Sequence, residues 1–316
     1  MSPEMIAALQ AQIQPVLPED TMAEAGRKVL LDQFVKMLHH ESGSRSGEDI
    51  EDVHDMRVAT RRMRSALGLL EDYYKPKLVR VYRRQLRKIA RALGAVRDLD
   101  VLIADLKQFQ TTLNDTQKVD LQAVIDRLDE ERAQLRSDLV RLLDKGEYRR
   151  FVEDFGDFLT KSGVGVKSQN GDMRPSQVRH VLPALLYSHL GAVRAYDGVL
   201  EDADDTTLHA LRIEFKRLRY AVSLFADVLG SSVKDFIKAI KGMQDHLGRM
   251  QDIVTAQAVL NPMVSELSDG QGETLQLYLD KIEAERQALR QQIGHLWKQF
   301  NAKTVQKQLA TAVAGL

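Results

Sequence analysis

The chain contains no cysteine. Disulfide bonds, thiolate metal sites and cysteine nucleophiles are therefore excluded, and a reducing compartment fits this composition. Proline is scarce, with only 7 residues in 316, which suits a helix-rich protein because proline interrupts helices. No apolar run approaches the length of a membrane span, and the opening MSPEMIAALQAQ lacks the basic and apolar regions of a signal peptide. We therefore expect a cytoplasmic protein without a membrane partner.

The chain also lacks an excess of charge of either sign, because 45 Lys and Arg residues balance 45 Asp and Glu residues. A binding site for a polyanion must therefore come from local segregation of charge. Aromatic residues make up only 6% of the chain, and no aromatic residue alternates with the cations of the basic rows described below. This composition disfavours base stacking with single-stranded nucleic acid, which we do not expect as a partner.

Motifs for common chemistry are missing as well. We find no HExxH zinc motif, no GxxxxGK[ST] phosphate loop and no GxSxG nucleophile motif. His39 and His40 are adjacent, so on a helix they point to different faces and make a poor metal pair. The sequence therefore predicts no catalytic residue, no metal site and no cofactor.

What the sequence does contain is a basic row that occurs twice at the same spacing. The row consists of His54, Arg57, Arg61 and Arg64 in the first half and of His209, Arg212, Lys216 and Arg219 in the second. This spacing places the four side chains along one side of an α-helix. In both copies a row of apolar residues precedes the cations by one position in the sequence. One position is about 100° of rotation around a helix, so the cations border the apolar side that we expect to be buried and do not lie opposite it. We predict that they face sideways or inward, into a groove between helices.

The next predicted helix of each half carries a second basic row. Its members are Lys77, Arg80, Arg84, Arg87 and Arg91 in the first half and Lys234, Lys238 and Lys241 in the second. If the rows face each other, they line a shared surface. The positive charges on this surface repel one another, and only a bound anion or solvent relieves that repulsion. The predicted ligand-binding set also includes four further arginines: Arg27, Arg62, Arg179 and Arg217.

A simpler interpretation is that each row is a solvated helix face paired with local carboxylates. However, the two diverged halves share the type of residue, the spacing and the position of the cations relative to the apolar row. This recurrence favours a role in ligand binding. Arginine suits bidentate contact with phosphate oxygens, so the predicted ligand carries many phosphates. His54 and His209 stand in the first turns of their helices, where a bound anion is favoured. Asp98 and Asp252 also recur, and we expect them to orient basic side chains.

Helical periodicity runs through almost the whole chain, without a convincing alternating strand, and predicts an all-α fold. Four helices are expected in the first half, at about 22–41, from before His54 to near Tyr74, from Pro76 to about Gln110, and across a leucine pattern between 121 and 142. Four are expected in the second half, near 176–200, 205–229, 231–262 and 270–300. Short loops imply antiparallel neighbours, hence two pseudo-symmetric four-helix bundles. The predicted bundles span 1–160 and 177–316, with a linker at 161–176.

These segments resemble the CHAD family, which is named for conserved histidines in an α-helical domain. The resemblance rests on VHDMRVATRRMRSAL and LGAVRDLDVL in the first half and on LHALRIEFKRLRYAV and LGRMQDIVTA in the second, and it spans about residues 20–300. It implies two four-helix bundles around a basic central cavity that binds inorganic polyphosphate, and association with polyphosphate granules. The ExExK signature of the CYTH domain found in some members is absent, so the chain looks like a stand-alone CHAD protein. One departure is Gln251, where the first half has Arg97, which indicates an asymmetric ligand path.

We therefore expect a non-enzymatic protein that binds inorganic polyphosphate through its basic rows. Two alternatives stay open at this point. A phosphohydrolase or polyphosphate-transferring enzyme would depend on Mg²⁺, but the clustered carboxylates for this metal are missing. An RNA-binding or granule-scaffold protein would require RNA to compete at equal phosphate concentration.

Overall fold

A computed structural model describes residues 3–167, 175–201 and 203–316. It is 83% helical. Within these ranges the β-structure is limited to two isolated bridges, Thr21 with Gln177 and Tyr74 with Val166. The predicted all-α fold is confirmed.

Thirteen α-helices follow one another along the described residues. The first half contains α1 (Pro3–Gln10), α2 (Met22–His39), α3 (Glu41–Ser46), α4 (Ile50–Leu69), α5 (Pro76–Gln110), α6 (Asp115–Asp144) and α7 (Gly146–Thr160). The second half contains α8 (Val178–Arg194), α9 (Asp205–Leu224), α10 (Ala226–Leu229), α11 (Val233–Val264), α12 (Asp269–Phe300) and α13 (Lys303–Ala314).

The helices predicted from periodicity correspond to α2, α4, α5 and α6 and to α8, α9, α11 and α12, with shifted ends. Helix α4 begins after Asp49, whose carboxylate accepts a hydrogen bond from the N–H group of Glu51. It ends at Leu69, earlier than expected, because a short 3-10 turn at Glu71–Tyr73 follows. Helix α5 begins at Pro76, a residue that the first helical turn accommodates without losing a hydrogen bond.

The two halves repeat one order of neighbouring helices. In the first half α2 packs on α4, α4 on α5, and α5 on α6; in the second half α8 packs on α9, α9 on α11, and α11 on α12. Contacts between α4 and α9 and between α6 and α12 join the halves. Helices α4 and α9, which carry the doubled basic row, therefore lie at the junction of the two halves.

The buried apolar residues form two clusters, and each cluster draws on both halves. The larger one includes Leu86 of α5 and Ile240 of α11, whereas the smaller one includes Leu106 of α5 and Leu260 of α11. Because α5 has 35 residues, it is roughly 50 Å long and extends beyond a single core. Both long helices therefore begin in the larger core and end in the smaller one, so each core is shared by the two halves.

The predicted linker falls partly outside the described residues, which omit 168–174. On its first-half side, the N–H group of Lys167 donates a hydrogen bond to the carbonyl of Tyr73. On the other side, the N–H group of Met22 donates to the carbonyl of Ser176. Both flanks of the segment thus contact the first half, and the proposed boundaries at 160 and 177 stay a prediction. No helix in the described part of the chain is long and apolar enough to cross a membrane.

Candidate functional site

A cavity of about 1120 Å³ opens between α4 and α9, with α5, α6 and α11 completing its walls. This is large for a small-molecule pocket and leaves room for several phosphate groups. The basic residues that line it come from both halves: His54, Arg57, Arg61, Arg62, Arg97, Arg212, Lys216, Arg219, Lys241 and Arg249.

Except for the exposed His209, the doubled basic row occupies the half-buried edge of α4 and of α9, as its spacing predicts. The apolar row one position earlier is fully buried in both helices: Val53, Met56, Thr60, Met63 and Leu67 in α4, and Leu208, Leu211, Phe215, Leu218 and Val222 in α9. Because α4 and α9 contact each other, the cations that follow this row meet at the seam between them. The predicted inward orientation of the row is confirmed for the residues that line the cavity.

An aromatic ring lies at the centre of these cations. The guanidinium carbon of Arg61 lies 5.6 Å from the ring centroid of Tyr220, and that of Arg219 lies 5.7 Å from it. Both distances are within the range of cation–π attraction. Tyr220 thereby connects an arginine of the first half to one of the second.

Carboxylates also line the cavity, and several pair with its arginines. Asp98 lies 3.5 Å from the guanidinium of Arg57, so it contacts a basic side chain as predicted. Arg249 is bound more tightly, at 2.6 Å by Asp105 and at 2.7 Å by Glu285. The acidic residues of the lining are Asp55, Asp98, Asp105, Glu131, Asp245 and Asp252. The cavity is thus less uniformly basic than the sequence suggests.

Three cations at the seam between α4 and α9 have no such partner in the described part of the chain. Within the described residues, no carboxylate oxygen lies within 4.0 Å of a charged nitrogen of Arg61, Lys216 or Arg219. The Nε atoms of Arg61 and Arg212 are buried and have no hydrogen-bond partner there. A buried donor without a partner costs free energy, and it is rare in folded proteins. These groups can therefore accept an anion without first breaking an ion pair.

Burial and mutual repulsion lower the pKa values of Arg61, Arg212 and Lys216. Burial lowers the pKa of Lys216 to about 7, and the guanidinium groups of Arg212 and Arg61 add to this effect. Burial is also the main cause of the lowered pKa of Arg61 and of Arg212. The pKa of His54 is lowered first by burial and then by Arg97. A bound anion would raise these pKa values again, because it stabilises the charged forms.

A family model of the CHAD domain matches residues 28–261, most of the chain.

The chain belongs to the CHAD family.

Two solved structures support the fold of this CHAD protein. The CHAD domain from the plant Ricinus communis has a TM-score of 0.66 and 22% sequence identity, with 96% of each chain covered. PptA from Streptomyces chartreusis has a TM-score of 0.67 and 16% identity, with 88% of this chain and 99% of the PptA chain covered. At these identities the likeness concerns the fold alone. No curated protein matches the sequence.

The second basic row of the CHAD protein lies mostly on its surface. Arg80, Arg84, Arg87 and Arg91 of α5 and Lys234 and Lys238 of α11 are exposed, and of this row only Lys241 lines the cavity. Arg64 of α4 connects the two rows. Its pKa is lowered mainly by burial and then by Arg87 and Arg83, so these arginines of α5 lie close to it. Cationic side chains therefore continue from α4 onto the exposed face of α5.

Three predicted arginines lie away from the cavity, which corrects their assignment to one shared surface. Arg27 is bound by the carboxylate of Glu24 and donates to a backbone carbonyl at 2.6 Å. Arg217 is exposed and pairs with a carboxylate one turn away on its own helix. Arg179 lies 3.6 Å from Glu19. Their neighbours supply the negative charge that the sequence pattern had assigned to a ligand.

His209 occupies a smaller pocket of about 310 Å³ beside the main cavity. Its Nδ1 atom lies 2.6 Å from the side-chain oxygen of Gln251, the position that departs from the first half. Arg212 lines both pockets, so the two spaces meet at this residue. The histidines of the two halves therefore have different surroundings, as the predicted asymmetry requires.

Arg97, Arg249 and Tyr220 also line the cavity, although none of them belongs to the predicted basic rows. Arg97 and Arg249 lie within the aligned segments LGAVRDLDVL and LGRMQDIVTA, whose recurrence was a signal, although neither cation recurs: Gln251 matches Arg97 and Ala95 matches Arg249. Tyr220 had a weaker signal: it is an aromatic residue directly after Arg219, and the first half has Ser65 at the matching position. Its place between two arginines depends on how α4 crosses α9, which spacing along one helix does not contain.

Proposed function

We propose that this CHAD protein binds inorganic polyphosphate in the cavity between α4 and α9. The observation that carries the proposal is the group of half-buried cations from both halves that have no carboxylate partner among the described residues, above all Arg61, Lys216 and Arg219. A chain of phosphates supplies one negative charge for each of several closely spaced cations, and its oxygens match the planar fork of arginine. The family resemblance points to the same ligand.

A linear anion suits the arrangement better than a compact one. Cations continue from the cavity through Arg64 to the exposed row of α5. A compact anion would neutralise the seam alone, whereas a flexible chain reaches both rows. We propose that the long ligand enters along α5 and that its inner part lies in the cavity.

The test of this function is a titration with long polyphosphate, tripolyphosphate, RNA and heparin at fixed ionic strength. We expect long polyphosphate to bind most tightly, and its affinity to fall with salt by roughly 0.7 log units per neutralised phosphate per decade of salt, by analogy with single-stranded nucleic acid. If RNA bound more tightly at equal phosphate concentration, the ligand would be RNA and not polyphosphate. If none of the four ligands bound, the basic rows would be solvated helix faces without a ligand.

Charge reversal at the seam tests the site. Arg61→Glu with Lys216→Glu should abolish polyphosphate binding, because repulsion replaces two attractive contacts where charges are poorly screened by water. The measurement is a titration, with circular dichroism to verify that helix content is kept. Arg150→Glu with Lys298→Glu is the matched control, because both residues are exposed, lie outside the cavity and change the net charge equally. Equal affinity of the two double variants would contradict the assignment.

We propose binding without catalysis. Incubation with polyphosphate and Mg²⁺ should leave the chain length unchanged on a gel; shortening of the polymer would instead identify an enzyme. We further propose a cytoplasmic protein that associates with polyphosphate granules through the same cavity. In cells, the protein carrying Arg61→Glu and Lys216→Glu should then lose the granule association that the surface control keeps.

A further inference from the structure

Tyr220 has a buried hydroxyl group that nothing in the described residues satisfies. The side chain lines the main cavity and the residue is only 6% exposed. Its hydroxyl oxygen has no hydrogen-bond partner within the described part of the chain. A buried hydroxyl without a partner destabilises a folded protein, because it loses its hydrogen bonds to water. The fold therefore keeps a polar group at a cost unless a ligand compensates for it.

The surroundings of this hydroxyl indicate what kind of ligand that is. Tyr220 affects the pKa of Arg61, Arg64 and Arg212 electrostatically, so its hydroxyl is near guanidinium groups of both halves. The ring itself lies against Arg61 and Arg219. Guanidinium groups only donate hydrogen bonds, so none of them can accept the hydroxyl proton. The missing partner is an acceptor, and the surrounding positive charges favour an anion in this position.

We propose that Tyr220, with the Nε–H groups of Arg61 and Arg212, forms a subsite that binds one phosphoryl group of the ligand. The hydroxyl donates a hydrogen bond to one phosphoryl oxygen, and the two Nε–H groups donate to oxygens that remain. The ring holds the guanidinium groups of Arg61 and Arg219 in place for this contact. Tyr220 is thus a direct but uncharged contact, distinct from the cations that attract the polymer. This inference rests on the proposed binding of polyphosphate.

The subsite predicts opposite effects of one substitution on binding and on stability. Tyr220→Phe removes the hydroxyl and keeps the ring. Affinity for long polyphosphate should fall about 10- to 150-fold, as expected for one hydrogen bond to a charged acceptor. The melting temperature of the ligand-free protein should stay equal or rise, because an unsatisfied polar group is removed from the interior. The salt dependence of binding should not change, since a neutral donor releases no counterion.

Two further variants complete the experiment. Tyr220→Leu also removes the ring, so affinity should fall further and its salt dependence should weaken as Arg61 and Arg219 lose their support. Tyr187→Phe is the matched control, because Tyr187 is 45% exposed and lies outside the cavity; its affinity should equal that of the wild type. All four proteins are titrated with long polyphosphate and melted without ligand.

The possible results separate the subsite from the proposed function. If the wild type binds polyphosphate and Tyr220→Phe binds equally well, the subsite is wrong and the function stands. A lower melting temperature of the ligand-free Tyr220→Phe protein also overturns the subsite, because the hydroxyl then has a structural partner. If the wild type does not bind polyphosphate at all, the proposed function fails and the subsite fails with it.

Discussion

The ammonium group of Lys216 is surrounded by charged groups on three helices. Arg212 lies on the same helix, Arg61 and Arg57 face it from α4, and Asp252 faces it from α11. Burial is the largest cause of its lowered pKa, the three arginines lower it further, and Asp252 opposes them. The pKa of Asp252 is itself raised, mainly by burial. Lys216 therefore loses part of its charge in the ligand-free protein.

Polyphosphate binding should take up a proton at Lys216. In the free protein the pKa is about 7, and a bound polyanion returns it toward the usual value of about 10.4. Above pH 7 the free amine is increasingly neutral and must gain a proton on binding. Affinity should therefore be greatest below pH 7 and fall as the pH rises from 7 toward 10. Calorimetry in buffers of different ionisation enthalpy measures this uptake directly.

Lys216→Arg is the control for this prediction, because arginine stays charged throughout the range. Its affinity should be nearly constant between pH 7 and 9. His54 acts at lower pH, since its pKa is lowered in the free protein. It should add a rise in affinity as the pH falls from about 7 to 6, which a His54→Gln variant removes. A wild-type affinity independent of pH between 7 and 9 would contradict the role of Lys216.

At the scale of helices, α4 and α5 carry basic rows of similar spacing but different burial. The cations of α4 border a buried apolar stripe and face α9, whereas those of α5 face solvent. Exposed charges contribute little each, because water and salt screen them. The two helices should therefore make unequal contributions to one ligand.

Charge reversal on α5 should affect long ligands alone. Arg84→Glu with Arg91→Glu should weaken binding of long polyphosphate about two- to tenfold, the range expected for exposed ion pairs. Binding of tripolyphosphate should change little, since a short chain fits inside the cavity. Competition titrations with both ligands measure the difference. Equal losses for the two would show that the α5 row belongs to the same site as the cavity cations.

At the scale of the whole molecule, we expect the shared cores to make the two halves unfold together. Leu106 of α5 is fully buried in the smaller core with Leu260 and Leu279 of the second half. Leu106→Ala should lower the free energy of unfolding by about 2–5 kcal/mol. Fluorescence of Trp297, the single tryptophan, reports on the second half, and circular dichroism reports on all helices. The unfolding transitions measured by the two signals should shift to the same new midpoint. If the halves unfolded independently, the fluorescence transition would stay unchanged.

The sequence predicted the helices and the inward basic row because both depend on local periodicity. Val53 and Arg57 reveal their faces through spacing within α4, and Leu208 and Arg212 do so within α9. The shared cores could not be predicted, because the pattern of α5 does not tell which partner covers its second end. For the same reason the pairing of Arg27 with Glu24 and the position of Tyr220 required the tertiary structure.

The seam between α4 and α9 has a consequence for how the protein matures. The opposite walls of the cavity come from helices separated by α5 to α8 along the chain. A ribosome that has released only the first half has therefore made one wall, with its cations still open to water. An anion of high affinity can be captured only after α9 has emerged and docked. The bound anion then joins the two halves as a noncovalent cross-link, and its binding free energy adds to the stability of their junction.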